Sequence, residues 1–295
     1  MPRRRVAAVT DPAPETLADL VGAYVAEQCT VVLDAGTPLR AGEPVIHPTR
    51  VAVRRLRSTL RVFADLVEPE PAAALETELV WWAGLLGAVR DLDVLAARYA
   101  AQVAELDPSE VLGPVPARIE TALATARKPA WEAVLAALSA ERYARLVGTL
   151  QAWRGAPPWT EAAQEPAKRV KRYVKRADRK VDRRLREAAE AAGHDDEQAH
   201  ELLHAARKAG KRARYAVEAA APVWGREAEK VIADRKHLQD VLGEQQDSQV
   251  SATFLRDLGA RLGSRSGQNG FTYGLLYARE LDRQARVLED LRPYL

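Results

Sequence analysis

The chain has 295 residues, 47% of them hydrophobic and 29% charged, which is enough to bury the core of one large domain or two ordinary ones. Lys and Arg exceed Asp and Glu by 44 to 41, so the net charge of +3 excludes a uniformly basic protein. A single cysteine, Cys29, excludes an internal disulfide, and we expect it to be a small buried side chain. No signal-peptide pattern and no apolar run of membrane-span length occurs, so we expect a cytoplasmic protein.

Helical periodicity dominates the sequence, and the alternation typical of β-strands is nearly absent, which predicts an all-α fold. The first half is predicted to form helices over residues 14–34, 43–67, 71–106, 114–125 and 129–153. Proline and glycine at 154–160 indicate a linker. The second half is predicted to form helices over 161–192, 196–221, 225–262 and 271–291. Gly87 and Gly243 are expected to break two of the long helices.

Two motifs recur at a nearly constant distance along the chain. The first motif consists of His47, Arg50, Arg54, Arg55 and Arg57. Residues of the same charge type follow 157 positions later, at His204, Arg207, Lys211, Arg212 and Arg214. Leu86-Gly87-x-x-x-Asp91 reappears 156 positions later as Leu242-Gly243-x-x-x-Asp247. A constant offset over two separated motifs predicts a tandem duplication, with the halves joined near residue 157.

Each copy of the first motif forms a cationic stripe when it is placed on a helix. At 100° per residue, one stripe about 80° wide collects His47, Arg50, Arg54, Arg57 and Arg61. The opposite, apolar face carries Ala52, Leu56, Leu60, Phe63 and Val67. In the second copy the stripe contains His204, Arg207, Lys208, Lys211 and Arg214, opposite Ala206, Ala209, Ala213 and Val217.

These stripes favour the binding of an extended polyanion. No Asp or Glu occurs between His47 and Phe63, although like charges at this spacing destabilise an isolated helix by a few tenths of a kcal/mol per pair. A third basic element, residues 168–186, has eleven Lys or Arg and two Asp. Its cations lie along one line formed by Lys168, Lys171, Arg172, Lys175 and Arg179. A solvated charged face remains the alternative interpretation.

The two copies and the Leu-Gly segments resemble the CHAD family, the conserved histidine α-helical domain. Residues 47–57 (HPTRVAVRRLR) match its His-x-x-Arg-Val-x-x-Arg-Arg-Leu-Arg helix at every specified position. Residues 204–215 (HAARKAGKRARY) resemble the family's Lys-containing second copy, with Ala213 where leucine is more usual. Residues 85–95 (LLGAVRDLDVL) and 238–250 (LQDVLGEQQDSQV) resemble two other landmarks, and the resemblance covers about residues 10–295.

The resemblance implies two four-helix-bundle-like halves related by a pseudo-two-fold axis, repeat 1 over 10–156 and repeat 2 over 157–295, with a basic surface or pore between them. It implies non-enzymatic binding of inorganic polyphosphate by the three basic elements, with no cofactor. Family members often accompany a triphosphate-tunnel enzyme domain or localise to polyphosphate granules, so a separate polyphosphate-metabolising enzyme is an expected partner. The Glu-x-Glu-x-Lys motif of the tunnel enzymes is missing here.

The two stripe histidines are expected to contribute to binding in a pH-dependent way. Near phosphate, His47 and His204 favour the protonated form, so polyphosphate affinity is expected to rise as pH falls through about 6–7. An N-terminal-turn residue bonded to a neighbour is the alternative for each. Arginines are expected to grip phosphate oxygens with paired N–H bonds, and lysines to act as point charges.

Other classes of function are less well supported by the sequence. His200 and His204 with His194, Asp195 and Asp196 have a spacing that can ligate zinc, but neighbouring cations would repel the ion, so we expect no metal. Asp91 and Asp93 are expected to form structural salt bridges rather than a catalytic pair, because residues two apart point in different directions. Sequence-nonspecific RNA-backbone binding stays open as the alternative, although no aromatic platform for bases is evident. Docking of an acidic protein is a third possibility.

Overall fold

The computed structural model describes residues 13–191, 196–263 and 269–291, and it is all-α in these ranges. Ten α-helices occur in the described part: α1 (Leu17–Asp34), α2 (Gly36–Arg40), α3 (Ile46–Val62), α4 (Pro69–Ala104), α5 (Val115–Leu138), α6 (Glu141–Gly155), α7 (Val170–Ala191), α8 (Asp196–Trp224), α9 (Arg226–Gly263) and α10 (Phe271–Leu291). Short 3-10 turns connect some of them, at Ala64–Leu66, Pro108–Glu110, Glu161–Gln164 and Ala167–Arg169.

The helices of each half pack mainly on one another. In the first half α1 packs on α3 and α6, α3 on α4, and α4 on α5. In the second half α7 packs on α8, α8 on α9, and α9 on α10. The halves meet where α3 packs on α8, and again where α4 and α5 share the apolar cluster of Leu95, Tyr99, Ile119, Leu255 and Tyr273 with α9 and α10. The α3–α8 contact brings the two motif-bearing helices together.

The predicted apolar faces are confirmed. Ala52, Leu56, Leu60, Phe63 and Val67 are all buried, and so are the four residues assigned to the apolar face of the second copy. Phe63 contacts Tyr173 of α7 with ring centroids 5.2 Å apart, which ties the end of α3 to the second half. Cys29 is also buried, and burial raises the pKa of its thiol to about 12.

Helix boundaries differ from the prediction at four places. The predicted breaks at Gly87 and Gly243 are wrong, since α4 and α9 run through them without interruption. A glycine in a helix interior costs about 1 kcal/mol, which is less than the packing of a 36-residue helix supplies. Helix α7 begins at Val170 rather than near residue 161, because Pro166 cannot donate a helical hydrogen bond and 3-10 turns precede it.

The predicted helix boundary before Pro129 is also wrong. Helix α5 contains Pro129 and continues to Leu138, and a new helix begins at Glu141. An internal proline costs about 3 kcal/mol or more. Helix α5 tolerates it because both of its ends are anchored, Ile119 in the cluster shared with α9 and α10 and Val134 in the main core.

A buried polar cluster joins the two halves. The Glu280 carboxylate is completely buried and accepts two hydrogen bonds from Arg98, at 2.7 and 2.6 Å, and one from Ser251 Oγ at 2.9 Å. Burial alone would raise the pKa of Glu280, but the hydrogen bonds from Arg98 and Gln102 outweigh it and the pKa is lowered. Arg98 also pairs with Glu244 of α9. These contacts hold α4, α9 and α10 in fixed positions beside the α3–α8 contact.

Candidate functional site

The packing of α3 on α8 brings four of the ten residues of the two cationic stripes to one place. Arg54 Nε of α3 donates a 2.8 Å hydrogen bond to the hydroxyl of Tyr215 on α8. Next to this contact is a cavity of about 290 Å3, which we call the central cavity. It is lined by the stripe residues Arg54, Arg207, Lys211 and Arg214, and by Gln239, Asp240, Gly243, Glu244 and Asp247 of α9. Cations predicted from both copies therefore share one cavity.

Each Leu-Gly-x-x-x-Asp segment holds an arginine of a stripe helix by an ion pair to its aspartate, and the two halves have equivalent pairs. Arg50 Nη2 lies 3.2 Å from Asp91 Oδ1, and Arg207 Nη2 lies 3.6 Å from Asp247 Oδ1. Only the glycine of the first segment is required to leave room for the guanidinium. A Cβ at Gly87 would overlap the Arg50 guanidinium, whereas one at Gly243 would lie 3.5 Å from Arg207 Nη2. The structural role expected for Asp91 is confirmed, with Arg50 as its partner.

The charge of Lys211 is not neutralised in the central cavity. Burial, followed by the positive charges of Arg207 and Arg54, lowers its pKa to about 7, and Asp247 opposes this only in part. Burial also lowers the pKa of Arg207. Two of the three α9 carboxylates that line the cavity are already engaged, Asp247 with Arg207 and Glu244 with Arg98, and Asp240 is the third. Partly buried cations whose pKa values are lowered by burial and by one another are typical of a site that binds an anionic ligand.

Glu218 neutralises the side of the contact next to Tyr215. Arg55 Nε donates to its carboxylate at 2.9 Å, Tyr24 donates at 3.0 Å, and Arg214 lies 3.3 Å away. Arg214, which we predicted as a ligand of the polyanion, is therefore already paired in the free protein. Arg214 therefore differs from Lys211, which lines the same cavity but has no ion pair to a carboxylate in the described part of the chain.

The two histidines are placed at the N-terminal ends of the stripes and are less readily protonated than expected. His47 is exposed in the first turn of α3, and burial, then Arg90, lowers its pKa. Burial, then Lys208, lowers the pKa of His204, whose Nδ1 has no hydrogen-bond partner in the described part of the chain. Both are therefore neutral in the free protein at neutral pH. Protonation near pH 6–7 remains a prediction for the bound state.

A second small cavity of about 270 Å3 extends the stripe beyond His47. His47 shares it with Arg90 of α4 and with Arg127 and Trp131 of α5. Arg127 donates to Asp93 at 2.7 Å and lies over the Trp131 ring. Arg90 and Arg127 were missed by the helical-wheel reasoning, because they lie on helices whose own patterns carry no basic stripe.

The predicted residues of the third basic element lie apart from the central cavity. Lys168 lies in the 3-10 turn before α7, and Lys175 and Arg179 are exposed on α7. Lys171 lies over the Trp224 ring, and Arg172 pairs with Glu165 at 2.8 Å. Their face is opposite the buried residues of α7, so this basic line points to solvent. Lys208 is also exposed on α8.

The structure gives no support to a metal site in the residues it describes, where no group of three or more His, Cys, Asp or Glu side chains is arranged to hold an ion. Four of the five residues considered as zinc ligands cannot be placed. His194 and Asp195 lie outside the described residues, and so do the side chains of Asp196 and His200. None of the described helices has the length and apolar character that would let it cross a membrane.

Comparison with protein families decides the relationship of the chain. The CHAD domain family model matches residues 23–256. The chain belongs to the CHAD domain family. The family assignment made from the motif residues is thereby confirmed, and the CHAD family is associated with polyphosphate.

Relatives and solved structures agree with this assignment. Two uncharacterized proteins of Mycobacterium tuberculosis, MT2285 and Rv2226 from different strains, are each 32% identical over 288 residues, or 96% of this chain. The match covers 53% of each, so this CHAD chain spans about half the length of those relatives. The crystal structure of the CHAD domain from the plant Ricinus communis is similar with a TM-score of 0.71 at 25% identity, over 99% of this chain and 95% of that chain. PptA from Streptomyces chartreusis shares the fold with a TM-score of 0.74 at 18% identity, over 95% and 99%.

Proposed function

We propose that this CHAD domain binds inorganic polyphosphate without turning it over, with the central cavity as the main binding site. The observation that carries the proposal is the cluster of Lys211, Arg54 and Arg207 at the contact of α3 and α8, in which Lys211 has no ion pair among the described residues. The association of the CHAD family with polyphosphate supports this choice of polyanion.

The binding mode follows from the geometry of the cationic groups. A flexible chain with about one negative charge per phosphate enters the central cavity beside Lys211 and Arg54. From there it follows the stripe of α3 past Arg50 toward His47 and the cavity that contains Arg90 and Arg127. Charge pairing and counterion release drive binding, by analogy with nucleic-acid backbones. Arginines supply paired N–H donors to phosphate oxygens.

The proposal includes the organisation of the chain. Repeat 1 over residues 10–156 and repeat 2 over 157–295 form two halves related by a pseudo-two-fold axis near the α3–α8 contact, with the basic surface between them. The equivalent pairs Arg50–Asp91 and Arg207–Asp247 support this arrangement. Binding localises the protein to polyphosphate granules, in company with a separate polyphosphate-metabolising enzyme.

A direct binding experiment tests the site. Long-chain polyphosphate is titrated at several salt concentrations against the wild type and against a double variant, Arg54→Glu with Lys211→Glu. A matched control carries the same change of net charge at exposed positions, Lys128→Glu with Arg145→Glu. We expect tight binding that weakens steeply with salt, loss of binding in the double variant at unchanged helicity, and little change in the control. Equal losses in both variants would show that only net charge matters.

Three further arms complete the test of function. Single-stranded RNA at equal charge concentration should displace polyphosphate poorly, and easy displacement would favour RNA-backbone binding instead. Incubation with polyphosphate and Mg²⁺ should release no phosphate, and turnover would refute the non-enzymatic proposal. Lys168→Glu with Lys175→Glu measures whether the exposed line on α7 contributes to affinity.

A further inference from the structure

A larger cavity of about 550 Å3 lies to one side of the α3–α8 contact. We call it the lateral pocket. It is formed by the C-terminal end of α3, the first turns of α4, the middle of α7 and part of α8. Its apolar lining, which we call the floor, consists of Leu60, Pro69, Ala72, Ala73, Ala177 and Ala209, of which Pro69 and Ala73 are exposed. Its size is within the range of about 300–1,000 Å3 that is common for small-molecule sites.

The rim of the lateral pocket carries four cations, Arg61, Arg176, Lys180 and Arg212. Two of them are paired, Arg61 with Glu76 and Arg176 with Asp65. In the part of the chain that the structure describes, neither Lys180 nor Arg212 has a hydrogen bond or an ion pair to a carboxylate. Burial lowers the pKa of both, and neighbouring arginines lower it further. The rim therefore has excess positive charge, with Lys180 exposed and Arg212 partly buried.

The fold does not require the excess of positive charge at the lateral pocket. On the opposite side of the α3–α8 contact, the equivalent helix position carries an acid. Glu218 lies 157 positions after Arg61, the same offset that relates Arg55 to Arg212. There the acid forms ion pairs with both Arg55 and Arg214. At the lateral pocket the corresponding position is Arg61, and Glu76 is the one carboxylate that lines the cavity. A helix position that accommodates an acid in one half carries a cation in the other.

The combination of rim and floor limits the class of ligand. An inorganic phosphate chain has no apolar surface, so it would leave the alanine and proline floor uncovered. A ligand with an anionic group and a flat organic body would cover both. Guanidinium planes such as those of Arg61, Arg176 and Arg212 stack on nucleobases. We propose that the lateral pocket binds a nucleoside polyphosphate, with the phosphates on Lys180 and Arg212 and the base over the apolar floor.

The test separates the organic body from the charge. ATP and inorganic tripolyphosphate are titrated at constant ionic strength into the wild type and into Ala73→Phe, which fills the pocket from an exposed position of α4. We expect ATP to bind at least tenfold more tightly than tripolyphosphate, and Ala73→Phe to remove that preference. Long-chain polyphosphate should bind both proteins equally. Equal affinity of the wild type for ATP and tripolyphosphate would overturn the proposal.

Two additional variants keep the outcome interpretable. Ala177→Met fills the same floor from α7, so a folding defect of one filled variant does not decide the result. Lys180→Gln with Arg212→Gln should weaken ATP binding at least tenfold, and unchanged ATP affinity would contradict the assignment of the phosphates. Since long-chain polyphosphate is measured on every variant, failure at the lateral pocket and failure of the central cavity give different patterns.

Discussion

Replacing Lys211 with methionine removes one positive charge from the central cavity and keeps a linear side chain of similar length. In the free protein the pKa of Lys211 is lowered from 10.5 to about 7, mainly by burial and then by Arg207 and Arg54. At 1.36 kcal/mol per pH unit, this difference corresponds to ~4–5 kcal/mol against the charged form. Because solvent enters the open side of the cavity, we expect Lys211→Met to raise the free energy of unfolding at pH 7 by about half of that, ~2 kcal/mol.

The sign of the pH effect follows from the direction of the shift. A lysine whose folded pKa is below its unfolded value destabilises the protein fully below pH 7, and the penalty disappears as pH rises toward 10.5. A bound polyanion restores the protonated form. Binding therefore takes up a proton between about pH 7 and 10, and the Kd should rise by up to tenfold per pH unit in that range.

Two assays on three proteins check this reasoning. Urea denaturation gives the free energy of unfolding of the wild type, Lys211→Met and Lys211→Arg, and titration with long-chain polyphosphate gives the Kd from pH 6.5 to 9.5. We expect Lys211→Met to be more stable and to bind more weakly. Lys211→Arg should bind with a Kd that changes little with pH, because arginine stays charged. A less stable Lys211→Met protein would show that Lys211 is structural.

The remaining predictions concern the glycines beside Arg50 and Arg207, the buried polar cluster around Glu280, and His47. Gly87→Ala should displace Arg50 from Asp91 and weaken polyphosphate binding several-fold, whereas Gly243→Ala should leave affinity unchanged and add ~0.5–1 kcal/mol of stability, measured by titration and urea unfolding. Glu280→Gln should cost about 3 kcal/mol in the same unfolding assay, because Arg98 would lose a buried partner. Since the lowered pKa of His47 keeps its imidazole neutral in the free protein at alkaline pH, His47→Gln should lower polyphosphate affinity at acidic pH and not at pH 8, and an equal loss at pH 8 would contradict protonation.

Much of the fold followed from local pattern. Apolar spacing placed six of the nine long helices, α1, α3, α4, α8, α9 and α10, to within five residues, and it assigned the buried faces of α3 and α8 correctly. The errors arose at glycine and proline positions, where the low helix propensity of the residue is outweighed by tertiary packing. Gly87 and Gly243 do not break their helices, because each helix is packed along its length, and at Gly87 the missing side chain also makes room for Arg50. Pro129 is tolerated inside α5 because both ends of that helix are buried.

Part of the candidate site was also visible in the sequence. The stripes on α3 and α8 identified Arg54, Arg207 and Lys211, which share one cavity. The wheel reasoning missed Arg90 and Arg127, and it could not find Lys180 and Arg212 as the rim of the lateral pocket. These residues become neighbours only through contacts between helices that are distant in sequence. A helical wheel describes the face of one helix and contains no information on what packs against it.

The sequence by itself determined that the chain is helical, that its motifs repeat and that its cations are segregated onto helix faces, because these properties depend on spacing along one chain segment. Tertiary structure decided which cations remain without a counter-charge. Arg55 and Arg214 are paired with Glu218, whereas Lys211 has no such partner among the residues that the structure describes, although all three belong to the same repeated motif. Electrostatic energy depends on distance in space and on burial, and both are set by the packing of α3 on α8.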